Sequence, residues 1–315
     1  MGLGCASLKE RLAARHAAQA LILLQGDDLD TALAEFRTAV RLDPQLALAH
    51  SQIGGIHRRR GEYELAAASY EQAVKLDPFS FRDALSLADL YRLLQDLKAA
   101  VRAYLHACDL DPASFEAQLG LGVCYLCLGQ NQQAIAHFKR AVEINPNSAF
   151  AWQNLGAAYD CDGQYYEAIR AYRNSLERDA NQAMVLVNLG TTYLKQERFA
   201  PAERALGMAI GFDGSLACAY GRLGYCKYRQ GQYAAAVENY QKAIEMDPAM
   251  ADAHAGLGVV RMPMYLLDKQ ATDLRDQAIE SWHRSLELDP NQPAVRSLVA
   301  KYRPQSKTPD LLSSE

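Results

Sequence analysis

The chain has 315 residues, half of them hydrophobic and 22% charged, which suits a buried core and excludes a disordered polymer. Its formal net charge of −4 and pI near 6.0 exert no general pull on nucleic acid or on an anionic membrane. No apolar run approaches the roughly 20 residues that a helix needs to span a bilayer.

In chain order, residues 1–10 form an N-terminal extension. Gly4-Cys5-Ala6-Ser7 resembles the end of a bacterial lipoprotein signal, which makes Cys5 the candidate lipidation residue, although the apolar region such a signal needs is missing upstream. A myristoylation reading of Gly2 fails because the sixth residue is Ala6. Repeating units are then expected at about 11–46, 47–80, 81–114, 115–148, 149–182, 183–216, 217–250 and 251–292. The first is degenerate, as a terminal unit with one uncovered face should be. The last carries an insertion at 262–276 between its two helices. Residues 293–302 read as a cap helix, and 303–315 as a polar, disordered tail.

One punctuation mark sets the register. Pro44, Pro78, Pro112 and Pro146 lie 34 residues apart, each after Asp or Asn. Ala180 and Gly214 take the next two slots, and the frame resumes at Pro248. The last interval, to Pro290, is 42 residues, one unit plus eight. Proline ends the helix there because it lacks the amide hydrogen and restricts the residue before it.

Within the unit that starts at Ala149, Trp152, Leu155, Gly156 and Tyr159 fall on one face of a helix. Gly163 breaks the pattern, and Ala168, Tyr172 and Ser175 resume it on a second helix. This W-x2-L-G-x2-Y…A-x3-aromatic pattern over 34 residues resembles the tetratricopeptide repeat (TPR). The resemblance covers eight units, with Leu-Gly pairs such as Leu121-Gly122, Leu189-Gly190, Leu223-Gly224 and Leu257-Gly258 in register. It implies an all-α fold, a right-handed α-solenoid of about eight helix-turn-helix TPR units with a C-terminal capping helix. Each hairpin would bury its apolar face only by stacking on its neighbours.

The family resemblance further implies that the first helices line a concave groove, with the second, fifth, sixth, ninth, twelfth and thirteenth residues of each unit pointing inward. The sixth slot holds Gln52, Ser86, Gly120, Asn154, Asn188, Arg222 and Gly256. Asparagine donates and accepts at once, so Asn154 and Asn188 suit a peptide backbone, while Arg222 can fork onto a carboxylate. The trio partly resembles the carboxylate clamp of chaperone-binding repeats, but Gln153, Ala157 and Cys218 stand where that clamp needs two lysines and an asparagine. Arg58, Arg59, Arg92, Lys195, Tyr225, Tyr228 and Arg229 also take inward slots. They make the groove more basic than the chain, which suits an acidic partner.

Seven cysteines raise a metal or redox reading. Cys124 and Cys127 form C-x-x-C inside one helix, with no second pair and no histidine at ligand spacing, so small buried hydrophobes are the expectation. No H-E-x-x-H, G-x-S-x-G or P-loop motif occurs, and no catalytic residue or cofactor is expected. The reading is a non-catalytic protein-interaction scaffold that binds an extended peptide or partner helix, in the cytoplasm, without nucleic acid. The alternative is a self-assembling or membrane-anchored assembly factor within a larger complex, on the membrane only if Cys5 is lipidated. Sequence alone leaves the oligomeric state open.

Overall fold

The computed structural model describes residues 8–302, so Cys5 and the tail 303–315 lie outside the described residues. The described chain forms seventeen helices and no strand, in two compact bodies. The first, up to Asp162, holds α1 (Leu8–Gln25), α2 (Leu29–Leu42), α3 (Ala47–Arg59), α4 (Tyr63–Leu76), α5 (Phe81–Leu93), α6 (Leu97–Leu110), α7 (Phe115–Cys127), α8 (Asn131–Ile144) and α9 (Ala149–Cys161). The second, from Gly163, holds α10 (Tyr165–Arg178), α11 (Ala183–Lys195), α12 (Phe199–Phe212), α13 (Ala217–Arg229), α14 (Tyr233–Met246), α15 (Ala251–Leu267), α16 (Thr272–Leu288) and α17 (Pro293–Tyr302). Helices pair as antiparallel hairpins, α1/α2 to α7/α8 in the first body and α11/α12 to α15/α16 in the second.

Two kinds of turn alternate along the chain. Inside all hairpins but the last, where Asp268 makes an aspartate turn, the first helix closes with a left-handed residue: Gly61, at φ +75°, donates to the Arg58 carbonyl, and Glu62 donates to the His57 carbonyl. That is the Schellman arrangement, which satisfies carbonyls the helix leaves open. Asp27, Gln95 and Glu197 hold the same conformation without being glycine, at a steric cost.

Between hairpins, the residue before the proline slot accepts from the backbone N–H two residues on. Asp43, Asp77, Asp111, Asn145, Asp179, Asp213, Asp247 and Asp289 all do so. Asp179 and Asp213 keep the turn where proline is lost, so the acidic or amide side chain, rather than proline, is the constant element. The proline carbonyl is then taken by a donor six residues on. His50 serves Pro44, Gln118 serves Pro112, Trp152 serves Pro146 and His254 serves Pro248. In the third unit that slot is Ala84, and His106 of α6 donates to the Pro78 carbonyl instead, at 2.8 Å.

The core is a ladder of large side chains from second helices set against glycines or alanines of first helices. Phe36, Tyr104, Phe138 and Trp282 are 0–1% exposed. Each contributes about 1.5–3 kcal/mol by leaving water. A Cβ on Gly122 would lie 2.6 Å from Phe138 Cε1, and one on Gly190 would lie 2.7 Å from Leu206 Cγ. Trp282 takes the ring's place beside Gly258, and its Nε1 is buried without a hydrogen bond.

Two boundaries differ from the sequence expectation. Helix α1 includes Leu8 to Glu10, ahead of Arg11, where the first unit was expected to start. The 262–276 insertion is not a loop between helices. The unit's eight extra residues add four to α15, which has 17 where α13 has 13, three to α16 and one to the turn. Pro263 lies inside α15, where it removes one backbone bond of that helix.

Candidate functional site

Which helices touch decides which side is concave. First helices contact one another, α5 with α7 and α7 with α9 in one body, α11 with α13 and α13 with α15 in the other. Among the described residues no pair of second helices is packed as closely. The first helices are therefore the inner layer of each body, and their inward slots form the candidate binding face.

In the first body several inward residues are already engaged. Gln52 is half-buried on α3, while Arg58 and Arg59 are exposed. Arg59 lies 3.7 Å from Asp27, and its neighbour Arg60 lies 2.5 Å from Asp30. Arg92 Nε donates to the Tyr104 hydroxyl at 3.2 Å, and that hydroxyl donates to Asp89 at 2.5 Å. Burial and the adjoining carboxylate push the Tyr104 phenol up, so it stays protonated. Arg92 thus holds a core tyrosine in place. Asn154 Nδ2 donates to the Phe150 carbonyl of its own helix at 2.8 Å.

The sixth slot has a packing logic that the sequence alone hid. A Cβ on Gly120 would lie 2.4 Å from Tyr104 Cζ, and one on Gly256 would lie 2.3 Å from Tyr240 Cζ. Tyrosine from the preceding hairpin reaches the inner face at these points and demands the small residue. Ser86, which hydrogen-bonds Tyr70, fits the same pattern. Where the preceding ring is Phe36 or Phe138, or is replaced by Leu206, the slot holds Gln52, Asn154 or Arg222. Asn188, half-buried on α11 after Tyr172, departs from this pattern.

In the second body the inner face opens into a cleft of about 320 Å³ between α13 and α15. Tyr240 forms part of its wall, with Arg222, Tyr225 and Tyr228 from α13 and Asp252 and Val259 from α15. Arg222, Tyr225 and Asp252 are exposed. Burial pushes the Tyr240 phenol up, the phenols of Tyr225 and Tyr228 and the Asp252 carboxylate push the same way, and Arg222 opposes them. These five groups therefore sit around one spot. Arg229 lies 2.7 Å from Glu197 and donates to the Tyr225 hydroxyl at 2.8 Å, both of which raise its pKa. Lys195 is exposed at the end of α11, 5.5 Å from the Tyr165 ring centre. Beyond Tyr228 and Val259, a second hollow of about 170 Å³ lies among Met262, Leu266 and Leu298.

Asp252 was missed by sequence reasoning although its second slot is an inward one. Tyr240 was missed because a core aromatic gives no sign that its hydroxyl end reaches the groove. The C-x-x-C pair separates: Cys124 is buried, with its thiol pushed up to about 11 by desolvation, while Cys127 is exposed. Among the described residues no group of His, Cys, Asp and Glu is placed to hold a metal ion, and no helix is long and apolar enough to cross a membrane.

Family models described as tetratricopeptide or TPR repeats match residues 17–81, 88–129, 115–148, 137–170 and 224–262. The crystal structure of MamA is 27% identical, covers 52% of this chain and 96% of its own, and superposes with a TM-score of 0.50. The APC/C hetero-tetramer Cut9–Hcn1 covers 94% of this chain and 58% of its own at 18% identity and a TM-score of 0.59. A tetratricopeptide repeat protein from Parabacteroides merdae covers 79% of this chain and 99% of its own, at 20% identity and a TM-score of 0.54. The last two likenesses, at such identities, show the fold alone. No curated protein matches the chain.

Proposed function

This chain belongs to the tetratricopeptide repeat family, and from that premise we propose that it is a protein-interaction scaffold holding an extended segment of a partner on the inner face of its second body. The observation that carries the reading is the cleft between α13 and α15, where exposed Arg222 and Tyr225 stand over a floor of buried tyrosine. A concave, mostly apolar site with a few convergent polar groups is the usual form of a recognition site. Extended segments gain from such a face because they are held along its length rather than at one point. The role needs no catalytic step or cofactor from this chain.

Preference for an acidic partner rests on fewer residues than the sequence suggested. Arg59, Arg92 and Arg229 face Asp27, Asp89 and Glu197, which leaves Arg58, Arg82 and Arg222 as the exposed inner-face arginines outside such pairs among the described residues. A photo-crosslinking residue at position 225, compared with one at Lys242 on the outer helix α14, tests the reading in cells. A partner captured from position 225 and not from 242 supports it. Equal capture from both positions, or none from 225, would sink it.

A further inference from the structure

Resting on that reading of the inner face, we propose that the α13–α15 cleft selects a partner segment with an acidic residue, an apolar residue and a basic residue in close succession. The acid would meet Arg222, the apolar side chain would enter between the tyrosines, and the base would meet Asp252. The argument starts from charge. Arg222 and Asp252 line the same cleft from adjacent inner helices, both are exposed, and neither forms an ion pair among the described residues. Arg229, on the same face of α13, differs: it is held by Glu197. An unmatched cation and an unmatched anion thus flank one hollow.

Between them the surface is apolar. Met250, Val259 and Ala255 line it with Tyr225 and Tyr228, and Gly221 and Gly256 contribute no side chain to fill it. A Cβ at either glycine would strike Met250 Cε at 2.8 Å or the Tyr240 ring at 2.3 Å, so the hollow is maintained by packing beneath it. Spacing sets the length of the motif. Adjacent packed helices lie about 8–10 Å apart, and an extended chain advances about 3.3 Å per residue. A segment crossing from α13 to α15 therefore covers the interval in about three residues. The first and third side chains of such a triplet share one face, so the two charges reach Arg222 and Asp252 together, and a bend at the middle residue turns the apolar side chain in between the tyrosines.

The test uses fluorescent peptides with Gly-Ser flanks around Glu-Leu-Lys, Glu-Ser-Lys, Lys-Leu-Lys or Glu-Leu-Glu, titrated by anisotropy at low ionic strength. The full-length wild type, Arg222→Glu and Asp252→Lys are compared. Wild type should bind Glu-Leu-Lys about fivefold more tightly than each of the other three, about 1 kcal/mol. Arg222→Glu should move the preference to Lys-Leu-Lys, and Asp252→Lys should move it to Glu-Leu-Glu. An unchanged ranking in the two variants overturns the charge assignment. Equal binding of Glu-Ser-Lys overturns the apolar slot. If no peptide binds while position 225 still cross-links a partner, the triplet is wrong and the scaffold reading stands. If position 225 captures nothing either, both fall.

Discussion

Replacing Gly256 with alanine tests the packing logic of the inner face. The new Cβ would lie 2.3 Å from Tyr240 Cζ and 2.7 Å from its hydroxyl oxygen. Tyr240 is 5% exposed, so the ring must shift within a packed layer. Overpacking of this kind costs about 1–3 kcal/mol. Alanine returns about 1 kcal/mol over glycine in a helix interior, which leaves a net loss of about 1 kcal/mol. The chain itself shows the relief: one unit earlier Leu206 replaces the aromatic and Arg222 fills the sixth slot. In a Tyr240→Leu background, Gly256→Ala should therefore become stabilising by about 1 kcal/mol, a coupling of about 2 kcal/mol between the sites. Urea unfolding of the four proteins by circular dichroism, at matched m-values, measures it. A Gly256→Ala effect that is the same in both backgrounds would refute the argument.

Three further outcomes follow from local chemistry. Gln95 sits at φ +61° in a turn where four other units use glycine, so Gln95→Gly should stabilise by about 0.5–1 kcal/mol in urea titration despite the entropy of glycine. Burial lowers the His137 pKa, and the ring meets Gln118 Oε1 at 2.8 Å and stacks on Tyr125. The unfolded chain therefore binds the proton more readily, so stability present above about pH 6.5 declines as the pH falls toward the folded value. The stability difference between wild type and His137→Gln, followed from pH 8 to 5, should shrink or reverse along that path. Iodoacetamide at pH 8 should modify exposed Cys127 in the native protein. It should spare Cys124, whose pKa of about 11 leaves a thiolate fraction more than about a hundredfold below that of an ordinary thiol. Peptide mass mapping in buffer and in urea reads this directly.

The fold was legible because a 34-residue period repeats hydrophobic spacing, Leu-Gly pairs and stop residues in phase. Even so, proline received credit that belongs to the residue before it. The hydrogen bonds of Asp179 and Asp213 show which part of the Asp-Pro pair survives substitution. The extra eight residues of the last unit were legible as an insertion, but not as longer helices, because period alone does not say where a helix yields to a turn.

The candidate site was less legible, for a physical reason. A slot number gives the direction of a side chain but not its partners. Arg92 and Arg229 point as their slots require, yet their guanidinium groups are committed to Tyr104 and to Glu197. Asn154 bonds back onto its own helix. Asp252 carried no local signature, and only the shape of the cleft joins it to Arg222.

The links between hairpins also imply a mechanical property. A joint fastened by an aspartate turn and a second bond to a proline carbonyl resists rotation, and most links in the chain are fastened twice. The link after α10 substitutes its own fastening, with Gln182 Nε2 donating to the Ser175 and Asp179 carbonyls. The link at Asp213–Leu216 has Gly214 in place of proline and only the aspartate turn, supplemented by the Ser215 hydroxyl. Under tension this joint is the compliant one. Pitch changes in the second body would concentrate there, one hairpin upstream of the cleft, so that stretching the spring and adjusting the spacing of its binding face become the same motion.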